Sequence, residues 1–189
     1  MLAPKLWYPE RWCERYLKYC SPPFDGPPHY PKAPPRIVVV DSAASHLTGD
    51  RLGFWRKARG MALNQWKWGG LVLPVREGVT PYRRGRVTID VAPISDSTRG
   101  QAFFGMDPDD ENVPLRGVGW ALVDDTYFEQ MFAARTLRPL AGVLCHEFGH
   151  TLGFGQDDSP ISGGTMTPKA SGAVSQEEID AMRSYWFDV

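Results

Sequence analysis

Two histidines four residues apart with an acid beside the first, His146-Glu147-Phe148-Gly149-His150, are the residues of this chain best suited by type and spacing to do chemistry. On a helix, positions i and i+4 share a face and stand about 6 Å apart at the backbone. Two imidazoles so placed fill two of the four tetrahedral positions of a Zn2+ ion. Glu147 reaches a water on the open side of such an ion and takes its proton. Gly153, three residues after the second histidine, suits the left-handed turn that ends a helix and returns the chain beneath the metal. Together these residues point to a zinc hydrolase.

A bare HExxH string arises by chance in roughly one of every one or two hundred chains of this length, so the surroundings matter. Leu140, Val143, Leu144, Cys145, Phe148, Leu152 and Phe154 make the segment apolar on most sides. A helix that is apolar nearly all round lies inside a protein. Two histidines and a carboxylate are costly there unless they bind something. A surface helix with two solvated histidines does not fit that context.

The run from His146 to Gly155 resembles the metzincin signature HExxHxxGxx(H/D), most closely its matrixin and snapalysin-like branches. Metzincins carry a methionine-containing turn beneath the zinc, and Ser162-Gly163-Gly164-Thr165-Met166-Thr167-Pro168 is similar in spacing and in its Met-x-Pro ending. Ser175-Gln176-Glu177-Glu178-Ile179-Asp180 resembles the start of the closing matrixin helix. Independently of the family, Ser175 and Glu178 form a capping box ahead of an apolar face of Ile179, Met182 and Tyr185-Trp186. Upstream of residue 136 the likeness is only in the order of elements.

The third metzincin ligand, His or Asp, should fall at residue 156, where this chain has Gln156, followed by Asp157 and Asp158. Three readings stand. Gln156 ligates through its amide oxygen, a weak ligand for Zn2+ beside imidazole or carboxylate. A one-residue shift after Gly153 and Gly155 brings Asp157 to the metal. In the third, zinc binds poorly and the fold survives without turnover.

Residues 1–35 hold nine of the seventeen prolines, interleaved with Trp7, Tyr8, Trp12, Tyr16, Tyr19, Phe24 and Tyr30. A short helix fits 9–20, with extended polyproline-like chain beyond it. So aromatic an extension is expected to pack on its own domain or on a partner protein. Residues 36–189 form the second unit, the metzincin-like domain. A chain of 189 residues with 42% hydrophobic content supplies one substantial core. A net charge of −1 gives no reason to expect nucleic acid or an anionic membrane as partner. No apolar run approaches a membrane span, and the start lacks the features of a signal peptide. The expected location is therefore cytoplasmic, particle-associated, or reached by a non-standard export route. The three cysteines make no disulfide framework. Cys145 is expected in the core, and not on the metal.

The elements that must position the motif read as follows. Residues 36–41 are a buried strand; 50–66 repeat apolar residues at helical spacing; 71–75 are a strand with Pro74 at an edge or bulge. Val87, Ile89 and Val91 alternate in a further strand, and Val118, Trp120 and Leu122 in another, after the acidic loop 107–112. That loop is read as solvated, with Ca2+ binding the less favoured alternative because its spacing matches no EF-hand. A helix over 138–152 carries the motif. The fold class is α+β, zincin-like: a twisted mixed β-sheet with a long helix, an active-site helix, a Met-turn and a C-terminal helix.

The resemblance implies a zinc endopeptidase acting on extended polypeptides with one catalytic Zn2+. Glu147 would be the general base, and His146, His150 and Asp157 (or Gln156) the metal ligands. Met166 would lie beneath the ion without bonding it. Gly117 to Asp125 would be the edge strand receiving substrate through Gly119, Trp120 and Ala121, with Phe154 and Pro168 shaping the pocket. The alternative is a catalytically weak or inactive module of the same fold that serves a structural or protein-binding role in a larger assembly.

Overall fold

The computed structural model describes residues 36–78, 86–94, 98–107, 110–152, 164–166, 173–176 and 178–180, and for 103–107 and 110–118 the backbone alone. The molecule is a mixed α/β structure. Five strands, β1 (Val38–Asp41), β2 (Val75–Glu77), β3 (Arg86–Ala92), β4 (Gly100–Asp107) and β5 (Asp110–Asp124), lie in the order β2-β1-β3-β5-β4. The first four in that order run parallel, and β4 is antiparallel to β5. Among the described residues, a short 3-10 turn (Ala43–Ser45) and the α-helices α1 (Gly49–Lys67), α2 (Asp125–Ala133) and α3 (Leu137–Thr151) join them. No helix among the described residues is long and apolar enough to cross a membrane.

The strict alternation of β3 puts Val87, Ile89 and Val91 on its buried face. Val39, Ala121 and Val123 join them from β1 and β5, and Trp55, Ala58, Ala62 and Trp66 of α1 complete one continuous core with Leu140, Leu144 and Phe148 of α3. The parallel step from β1 to β2 requires a crossover, and α1 supplies it. Aromatic rings of α1 and α2 then interlock. Phe54 meets Phe128 and Phe132 edge-on, and Arg51 forms a two-pronged pair with Glu129 at 2.8 and 3.0 Å.

Sequence and structure differ at three places. The expected strand over 71–75 is only a bridge between Val72 and Arg36, and regular pairing starts at Val75 because the Pro74 ring removes a ladder donor while its carbonyl accepts from Val39 N at 2.9 Å. The stretch from Gly117 to Asp125 is not an edge strand. Gly119 to Asp124 pair with Val87 to Ala92 on one side, and Gly119 to Val123 pair with Phe104 to Gly100 on the other, so among the described residues the edge is β4. Of the expected acidic loop 107–112, Asp107 ends β4 and 110–112 begin β5, with Asp107 paired to Asp110. Register shifts at Phe104/Gly105 and Met106/Asp107 bend β4, as is common in strands at a sheet margin.

At the C-terminal end of β1, buried Asp41 accepts from Trp55 Nε1 at 2.9 Å and from Ala44 N at 3.2 Å, and it pairs with Arg59. Arg59 also pairs with Glu77 at 3.1 Å, and Arg56 Nε donates to Glu77 at 2.8 Å. The Arg56 hydrogen bonds, helped by Arg59, hold the Glu77 carboxyl down to about 2. A carboxylate depressed in the folded state stabilises the protein above its unfolded value of about 4.5, and that contribution fades as pH falls toward the folded value. Thermal unfolding should therefore show a steeper loss of midpoint between pH 4.5 and 2 for the wild type than for Glu77→Gln; parallel curves would contradict this linkage.

Candidate metal centre

Helix α3 is held in a fixed position before any side chain of the motif comes into play. Its start follows a tight link from α2, in which Arg135 takes a left-handed backbone at φ 55° and lays its guanidinium 4.4 Å from the Phe132 ring. Pro139 falls in the first turn, where its missing N–H costs nothing. α3 then packs on α1, β5 and β4. Trp66 Nε1 of α1 donates to the Cys145 carbonyl at 3.0 Å, in the residue just before the first histidine. Cys145 itself is fully buried, and burial pushes its thiol up to about 12. It is a core residue and not a thiolate donor, as expected from sequence.

His146 and His150 are half-buried, with rings perpendicular and centroids 4.7 Å apart. Their Nε2 atoms approach to 3.1 Å. Two nitrogens each about 2.0–2.1 Å from one tetrahedral ion would stand about 3.3 Å apart, so the pair is spaced as a metal ligand pair would be. His146 Nδ1 lies 2.7 Å from the Thr165 carbonyl oxygen. A carbonyl only accepts, so Nδ1 carries the proton and Nε2 presents a lone pair toward His150. A backbone acceptor on the far ring nitrogen is the usual outer support of a metal-binding histidine. Glu147, between them in sequence, is buried, 8% exposed.

Thr165 is placed by the turn it belongs to. Met166 is fully buried, and its sulfur and methyl press on Gly149 of α3. A β-carbon on Gly149 would overlap that sulfur and come within 2.8 Å of Trp66 Cζ2. From the other side, Glu178 holds the turn. Its carboxylate, fully buried, accepts from Met166 N at 2.7 Å, Thr165 N at 3.1 Å and Ser175 N at 2.7 Å, while Glu178 N donates to Ser175 Oγ at 3.1 Å. The capping box expected at Ser175 and Glu178 is present, and the same carboxylate clamps the methionine turn. Gly164 leaves the room for it, since a β-carbon there would overlap the carboxylate.

Of the residues singled out from sequence, His146 and His150 come together, Met166 lies under the same helix against Gly149, and Glu147 is buried against Gly100 of β4. Gly119 and Ala121 are buried in an interior strand with both backbone edges paired, and Trp120 is half-buried in the same strand, so none of the three lies at a sheet edge as expected from sequence. Gln156, Asp157, Phe154 and Pro168 lie outside the described residues. Among the described residues, no third His, Cys, Asp or Glu joins the two histidines in a metal-sized cluster. Sequence reasoning missed three contributors: the Thr165 carbonyl, the clamp role of Glu178, and Trp66 as a support for the helix backbone. A backbone carbonyl leaves no trace in residue identity. The other two had already been explained, one as a cap and the other as a core residue.

Compared with known protein families and with curated proteins, the chain matches no family model and no curated sequence.

Glu178→Ala should orphan two buried N–H donors and one part-buried one, and destabilise the protein by on the order of 3 kcal/mol, read as a lower urea midpoint at unchanged slope. Gly149→Ala should cost about 2 kcal/mol by overpacking against Met166 and Trp66. A neutral result for either variant would contradict the packing described here.

Proposed function

We propose that the chain is a zinc-dependent endopeptidase of metzincin type, hydrolysing peptide bonds of extended polypeptides. The observation that carries this reading is the convergence of the His146 and His150 Nε2 atoms at 3.1 Å, with His146 locked in the metal-binding tautomer by the Thr165 carbonyl. The motif likenesses at 146–155, 162–168 and 175–180 support it, as does the sequence of strand, long helix, further strands, motif helix and buried methionine. A mixed sheet with α1 and α3 packed on it is compatible with that fold class.

The ion would be held by His146, His150 and a third ligand from the segment after α3, Asp157 or Gln156. Zinc bound there supplies Lewis acidity to the scissile carbonyl and makes a water acidic enough to react at neutral pH. The chain's own residues do the rest. β4, the sheet margin next to α3, offers main-chain groups to which an extended peptide adds as a further strand. Glu147 takes a proton from the water as its oxygen adds to the carbonyl carbon. The same carboxyl then delivers that proton to the amide nitrogen as the C–N bond breaks, and the proton left on the added oxygen follows it, leaving a carboxylate and an ammonium group. Burial of Glu147 among α3 and β4 keeps bulk water from competing for that proton. Phe154 and Pro168 would shape the side-chain pocket, and Met166 would lie beneath the ion without bonding it.

Purified protein should carry one zinc per chain and cleave a peptide library or casein. Glu147→Ala should retain the metal and lose about 10²- to 10⁴-fold in rate, whereas His146→Ala should lose both metal and activity. Absent zinc, or cleavage indifferent to Glu147, would contradict the proposal and favour the non-catalytic module.

A further inference from the structure

The seat of the Glu147 carboxylate is set by a residue on the sheet. Val143 and Glu147, one turn apart on α3, both lie against Gly100, the first residue of β4. A β-carbon on Gly100 would fall 2.7 Å from Val143 Cγ1, 2.8 Å from Glu147 Cγ and 2.8 Å from Glu147 Oε1. Carbon atoms pack best at about 3.5–4.0 Å, so the space a side chain would occupy is taken by the carboxylate and its stem. Backbone conformation does not demand glycine here. The φ angle of Gly100 lies outside the left-handed region, unlike Gly119 at 145°. Nor does the strand have freedom to retreat. Gly100 pairs with Val123, and the neighbouring Arg99 carbonyl accepts from Asp124 N at 3.0 Å. On the helix side, the Trp66 bond to the Cys145 carbonyl and the Met166 contact at Gly149 hold α3 in place.

We propose that Gly100 is a positioning residue for Glu147: its missing side chain leaves a slot at the start of the edge strand in which the carboxylate is seated. This rests on Glu147 being the general base of the reaction proposed above. One structural unit, β4, thereby both receives the peptide backbone and sets the base that works on it, so the two are aligned without a separate loop. A misplacement of about 1 Å in such a group is enough to slow catalysis by up to about a hundredfold.

The test is a double-mutant cycle in the full chain with Gly100→Ala, Glu147→Ala and the pair. Gly100→Ala should lower the thermal midpoint by about 5 °C. In the Glu147→Ala background the drop should be smaller, because the colliding Cγ and Oε1 atoms are gone; what remains comes from Val143, whose Cγ1 is the nearest of the three atoms. Equal drops in the two backgrounds would overturn the proposal. In peptide hydrolysis, Gly100→Ala should lower kcat about tenfold or more while KM and zinc content stay unchanged. An unchanged kcat, or a loss confined to KM, would also overturn it. Should Gly100→Ala fail to fold, Gly100→Ala/Val143→Ala opens the same corner and carries the same comparisons. A wild type without Glu147-dependent hydrolysis sinks the protease reading alone, and the thermal coupling still decides whether Gly100 seats Glu147.

Discussion

The hydrogen bond from His146 Nδ1 to the Thr165 carbonyl is the interaction on which the rest of the centre depends. Without it the ring could turn about its bonds and either nitrogen could carry the proton. With it, one tautomer and one ring plane are selected, and the Nε2 lone pair is aimed at the place His150 also faces. The carbonyl is itself fixed from two directions. Glu178 takes up the N–H groups of Thr165 and Met166, and the Met166 side chain is wedged against Gly149 and the core. A buried carboxylate with three backbone donors is stable only as a complete set, because each N–H left without an acceptor costs about 1–3 kcal/mol. The turn, the capping box at Ser175 and Glu178, and the motif helix therefore form one cooperative unit.

Three absent side chains make that unit possible. Gly149 admits the Met166 sulfur, Gly164 admits the Glu178 carboxylate, and Gly100 admits Glu147. None of them is a turn glycine in the left-handed region. Their value lies in the volume they leave, and close-packed interiors have little of it to spare. Each slot is filled by a group with a different part in the site: a packing thioether, a backbone clamp and an acid. Trp66 adds a fourth constraint from α1, gripping the Cys145 carbonyl through its indole N–H while its ring fills the corner at Gly149.

How much of this was legible in the sequence varies by element, for physical reasons. α1 could be read because Leu52, Trp55, Ala58, Ala62 and Trp66 recur at helical spacing, and all but Leu52 are buried. β3 could be read because Val87, Ile89 and Val91 alternate with Arg86, Thr88 and Asp90. α3 extends over Leu137–Thr151 against an expected 138–152, since its apolar run is long and Pro139 marks its start. β4 escaped notice because Gln101-Ala102-Phe103-Phe104-Gly105-Met106 has no period of two, and its place at the margin is decided by pairing with β5 rather than by its own pattern. The short helix α2 escaped for a related reason. Its cap, Asp124 accepting from Tyr127 N at 2.9 Å, lies at the end of a strand whose own signal dominated. Which face of Glu178 would be used twice, as cap and as clamp, depends on a turn a dozen residues away and could not be seen locally.

The proposed centre thus rests on two imidazoles whose Nε2 atoms stand 3.1 Å apart, with a buried acid on the same helix seated against β4. X-ray absorption at the zinc edge, on full chain loaded with one equivalent of Zn2+, tests that claim most directly. Two imidazole nitrogens at about 2.0 Å together with oxygen ligands are the expected first coordination sphere, and His150→Ala should remove one imidazole. A spectrum without imidazole scattering, or one unchanged by that substitution, would contradict the account.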